Sequence, residues 1–102
     1  MVAAVTRRFA ARRGKLDATQ PDIVKALKRV GASVQDLHAV GGGCPDLIVG
    51  YRGVNYLLEC KTDTGAMKES QDTFIAGWQG APVRVVRSPA EALTAIGIRL
   101  DT

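Results

Sequence analysis

Three residues of this chain could do chemistry together: Asp46, Glu59 and Lys61, within the stretch Gly41 to Lys61, GGGCPDLIVGYRGVNYLLECK. Two apolar runs rich in β-forming side chains, Asp46 to Tyr51 and Val54 to Cys60, flank the dipeptide Arg52-Gly53, which reads as a β-hairpin. With those two residues as the turn, Tyr51 faces Val54, Gly50 faces Asn55, and Asp46 lies across from Glu59. Arg where positive φ is wanted leaves open a one-residue longer turn, which staggers the carboxylates without separating them far. Directly opposed residues of antiparallel strands hold their Cβ atoms roughly 4.5–5.5 Å apart, and side chains alternate along a strand. Asp46, Glu59 and Lys61 therefore share one face, with two carboxylates and an ammonium converging on one spot.

The surrounding strand positions are Leu, Ile, Val and Tyr, the composition of strands buried within a domain. Opposed like charges in such a place are destabilising unless something positive lies between them. A hard divalent cation answers the need, because Mg²⁺ is commonly held by one or two carboxylates together with waters and phosphate oxygens. Lys61 beside it would position an attacking water or stabilise charge on a phosphate. The plainer alternative is an Asp at a strand start and a Glu/Lys pair on a solvated sheet edge.

The elements that must position these residues follow along the chain. A helix opens near Thr19 or Gln20, with Pro21 and Asp22 in its first turn, and buries Ile23, Val24, Leu27 and Val30 before Gly31 caps it. Ala32 to Leu37 is a strand, followed by His38, a hydrogen-bonded bystander. Gly41, Gly42 and Gly43 let the backbone approach nucleic acid closely or bend into the second strand; with no following Walker lysine they are not a nucleotide loop. Beyond the hairpin a helix from about Lys68 to Trp78 carries Phe74, Ile75 and Trp78 as its apolar stripe, with Trp78 expected in the core. Pro82 to Arg87 is a strand. Ser88-Pro89-Ala90-Glu91 then opens a last helix as a capping box. Read as two parts, the chain is a basic arm, residues 1–17, and one α/β domain, residues 18–102.

The 102 residues suffice for one domain, and 46% apolar with 24% charged side chains is ordinary for a globular protein. No run approaches the ~20 apolar residues that span a bilayer, and no secretory signal is evident, so a cytoplasmic setting is expected. Two cysteines, Cys44 and Cys60, fall on opposite faces of the hairpin and are expected to stay reduced. The net charge is +4. Arg7, Arg8, Arg12, Arg13 and Lys15 lie in the first fifteen residues without an acid, a composition suited either to phosphate backbone or to a solvated tail.

Pro45-Asp46, twelve intervening residues and Glu59-Cys60-Lys61 resemble the PD-(D/E)XK signature of restriction-endonuclease-like nucleases. Within that superfamily the chain is most similar to the small VRR-NUC (virus-type replication-repair nuclease) domains of phages and bacteria. The likeness runs from about Thr19 to Gly97, and Gln71 with Phe74 matches the family's Q-x-x-F. It implies a helix, a three-stranded meander, a helix, a strand and a helix (αβββαβα), with the strand Pro82 to Arg87 paired next to the hairpin. It further implies a Mg²⁺- or Mn²⁺-dependent deoxyribonuclease acting on DNA, branched as a Holliday junction or flap, as a homodimer in a bacterial or phage-infected cell. The metal would be held by Asp46, Glu59 and the main-chain carbonyl of Cys60, with Lys61 guiding water. Gln71 would face the site and hold water or phosphate, and Lys68 would meet phosphate or simply solvent. Asp22 would reach the metal, where its residue-level role is to complement the helix dipole. The rival readings are a non-catalytic nucleic-acid-binding module and a subunit of a larger replication or packaging machine.

Overall fold

A computed structural model describes residues 19–100; the basic arm expected over residues 1–17 lies outside them. The elements run α1 (Thr19–Arg29), β1 (Ser33–Asp36), β2 (Leu47–Tyr51), β3 (Val54–Cys60), α2 (Glu69–Gly77), β4 (Arg84–Val86) and α3 (Pro89–Ala95). The four strands form one mixed sheet in the order β1-β2-β3-β4, antiparallel except for the parallel β3–β4 pair.

Helix α1 forms where Ile23 and Leu27, one turn apart, can both be fully buried. It stops at a left-handed Gly31, φ 92°, where the Gly31 N–H donates to Lys28 O and the Ala32 N–H to Leu27 O. Val30, expected in the buried stripe, is 36% exposed because the helix has already ended before it. Paired residues share a face of the sheet. Leu47, Val49, Leu58 and Val86 accordingly meet Ile23 and Leu27 of α1 and Ala92 and Ile96 of α3 in one core. The opposite face carries Ile48, Leu57 and Val85, all half-buried, and leads at one end to Asp46 and Glu59.

Helix α2 buries none of its residues. Trp78, expected in the core, is 45% exposed and stacks on Phe74 instead, ring centroids 5.3 Å apart and planes 13° from parallel. The two are four residues apart on one helical face, so they pack on each other where the sheet offers no cover. Strand β4 is shorter than Pro82 to Arg87 because Pro82 has no N–H to give and the Arg87 N–H goes to the Glu91 carboxylate at 2.7 Å. Ser88 caps α3 by accepting from the Glu91 N–H at 3.1 Å. Among the described residues, no helix is long and apolar enough to cross a membrane.

Candidate active site

The hairpin turns at Arg52 and Gly53, φ 53° and 82°, both left-handed as a two-residue turn between twisted strands requires. Its pairs run from Tyr51 with Val54 to Leu47 with Leu58, the register that brings Asp46 and Glu59 opposite one another just past the last ladder pair. There the Asp46 side chain takes over from the ladder. Its Oδ2 accepts from the Cys60 N–H at 2.8 Å, while its own carbonyl accepts from the Leu37 N–H at 2.8 Å. Asp46 is thus fixed from both neighbouring strands.

Glu59 is 2% exposed, the one buried charged side chain among the described residues. Its Oε2 accepts from Gln71 Nε2 at 2.8 Å and lies 3.7 Å from Lys61 Nζ, whose side chain is 14% exposed. Burial first, and then the neighbouring Asp46 charge, push the Glu59 carboxyl up to about 7, against the opposing pull of Lys61. Without a further positive charge, Glu59 is biased toward keeping its proton. The same charges act on the cysteines, neither of which is in a disulfide. Burial, with Glu59 and Asp46 behind it, raises Cys44; burial, with Asp46, Glu59 and Asp36, pushes Cys60 up to about 12.

Gln71 links helix to site. Its Oε1 accepts from the Lys68 N–H at 2.8 Å, which leaves the amide nitrogen to face Glu59. Behind it Gly43, φ 82°, lies against the first turn of α2, where a Cβ would strike the Ser70 carbonyl. Of the glycine run, Gly43 alone makes this approach; a Cβ at Gly41 or Gly42 would meet nothing within 4 Å. Arg87 holds the loop that leaves Lys61: its Nη1 donates to Thr62 O at 2.7 Å, Gly65 O at 2.8 Å and Asp63 O at 3.5 Å. Nothing in the sequence signals this contact, because its acceptors are backbone carbonyls more than twenty residues away.

The structure therefore brings together Asp46, Glu59, Lys61, Gln71 and the Cys60 backbone. Asp22 stays in the first turn of α1, half-buried, with no hydrogen bond or ion pair to any described residue. Lys68 is exposed at the start of α2, and the His38 N–H donates to Asp36 Oδ1 at 2.6 Å.

The donor set suits Mg²⁺ or Mn²⁺ by its chemistry. Neither Asp46 Oδ1 nor Glu59 Oε1 accepts from an N–H of a described residue, so hard oxygen lone pairs remain where the two carboxyl groups meet. The Lys61 N–H turns to Val86 O at 3.0 Å on β4, and alternation along the strand directs the Cys60 N–H and carbonyl the other way, toward Asp46. Among the described residues no three His, Cys, Asp or Glu side chains gather as a metal cluster. A cation here would rest on two carboxylates and that carbonyl, the remainder of its shell coming from water or substrate.

Compared with family models, with curated proteins and with solved structures, the chain matches none.

Proposed function

We propose that the chain is a metal-dependent endonuclease of the restriction-endonuclease-like fold, hydrolysing phosphodiester bonds in DNA. One observation carries this reading: Asp46 and Glu59 oppose one another at the end of a hairpin, with the Lys61 ammonium 3.7 Å from a Glu59 carboxyl that burial and Asp46 hold at about 7. Asp46, Glu59 and the Cys60 carbonyl hold the cation. When bound, Mg²⁺ supplies charge stabilisation to the scissile phosphate and lowers the pKa of water. Lys61 places a compact positive charge beside that phosphate and orients the attacking water. Gln71 keeps Glu59 turned toward Asp46. The substrate is branched DNA, a four-way junction or flap, cut by a homodimer in the cytoplasm of a bacterial or phage-infected cell; this part of the reading comes from family resemblance.

The test is incubation with supercoiled plasmid, linear duplex, flap and four-way junction in Mg²⁺, Mn²⁺ or chelator. Cleavage should need the metal, and Asp46→Ala or Lys61→Ala should lower it at least ~100-fold with DNA affinity retained. Undiminished cutting by either variant removes the assignment. DNA binding without metal-dependent cutting by the unmodified protein would favour the non-catalytic module.

A further inference from the structure

We propose that Arg87 is a positioning residue for Lys61, acting through the loop 62–65; what that placement serves rests on the nuclease reading. A lysine stem has four rotatable bonds, and the separation of Lys61 Nζ from Glu59 Oε2 is 3.7 Å, too long to fix them. A wall is needed beside the stem. Gly65 lies beside it: a Cβ built on Gly65 would be 3.6 Å from Lys61 Cδ, which places the Gly65 backbone within about one C–C bond of contact with the stem.

The loop has little of its own to keep it in place. It belongs to no helix or strand, and its one internal backbone bond is Gly65 N–H to Thr62 O at 3.1 Å. Arg87 Nη1 reaches both ends of it, Thr62 O at 2.7 Å and Gly65 O at 2.8 Å, with a longer contact to Asp63 O. A guanidinium is always charged and planar, so its bonds to carbonyls are strong and directional. Arg87 is itself held, since its N–H donates to Glu91 and the preceding residue accepts from the Lys61 N–H. The chain from 61 to 65 is thereby closed into a ring that starts at the Lys61 backbone and returns, through Arg87, to the flank of the Lys61 side chain.

The experiment is amine acylation of the metal-free, full-length protein by N-hydroxysuccinimide acetate, with each lysine followed by mass spectrometry and referred to exposed Lys25 on α1. Arg87→Ala should speed acylation of Lys61 about tenfold and leave Lys25 unchanged, and Arg87→Lys should fall between it and the unmodified protein. An unchanged Lys61, or an equal rise at every lysine, overturns the proposal. If Arg87→Ala does not fold, Arg87→Lys decides alone by the same criterion. In single-turnover cleavage the Ala variant should lose ~10–100-fold in rate, the scale of an ångström's misplacement, with metal affinity and KM held. Full-rate cleavage overturns the positioning role. Absence of cleavage by the unmodified protein overturns the nuclease reading, and the acylation pattern still decides the clamp.

Discussion

Glu59 is the residue on which pH acts. Its ordinary value is 4.5 and its folded value about 7, raised by burial and by Asp46. Between those two values the folded protein binds a proton that the unfolded chain has already released. The contribution to stability is therefore full below about 4.5 and is lost as pH rises through about 7. Melting of the metal-free protein should fall over that interval, and Glu59→Gln, which is neutral throughout, should flatten the curve and melt higher at about pH 8. A cation needs the ionised form, so its affinity should climb from about pH 6 to about pH 8, with about half a proton released per ion at about pH 7. Titration calorimetry in two buffers of different ionisation enthalpy measures this; equal affinities at the two ends of that range would contradict it. The pairing of Asp46 with Glu59 was legible in the sequence with Arg52-Gly53 taken as the turn; Arg52 left a one-residue longer turn open, and the ladder closes that alternative. The resemblance had Gln71 facing the site to hold water or phosphate; that its amide holds Glu59 itself was not legible, since this depends on where a separate helix lands.

At the scale of elements, the hairpin and α2 are held by contrasting means. The hairpin is fixed by its ladder and is strained locally at Arg52, whose left-handed backbone costs about 1–2 kcal/mol and is offset in part by its guanidinium 5.4 Å from the Tyr51 ring centroid. Arg52→Asn should raise stability by up to about 1 kcal/mol and leave cleavage untouched, as read by thermal melting and the plasmid assay. Helix α2 is held by the Gln71 amide and by the contact of Gly43 with Ser70. Gly43→Ala should cost about 1–3 kcal/mol, lift α2 from the sheet and reduce metal affinity along with activity, because Glu59 is then without its donor. Retained affinity and activity would mean that α2 does not set Glu59. Periodicity located α2 to within a residue at each end. It misplaced Trp78, because an apolar stripe announces a packing surface without saying whether another element comes to cover it.

For the whole molecule, the sequence order of elements was readable throughout, since turn residues and caps punctuate each one: Gly31, Arg52-Gly53, Ser88-Pro89 and Gly97. The parallel β3–β4 pair joins the strand after α2 to the hairpin and sets Lys61 and Arg87 at one end of the sheet. The resemblance had set this strand beside the hairpin, as the β3–β4 pair bears out; the reach of Arg87 to the loop after Lys61 was not readable, because its acceptors there are backbone carbonyls. On the nuclease reading, the charge of the first fifteen residues would add to affinity for DNA. Their removal should flatten the dependence of log affinity on log salt by about 0.9 for each duplex phosphate they had neutralised, with the cleavage rate at saturation kept. An unchanged slope would assign those residues no part in binding.

Helix α2 has a consequence for redesign. Apart from Gln71, Ser70 and the half-buried Phe74 and Ile75, its positions answer neither to the core nor to the carboxylates. Such a segment can be rewritten as a cassette, with libraries at Asp72, Thr73 and Ala76 tuning what the surface beside the pocket prefers while the scaffold beneath stays as it is.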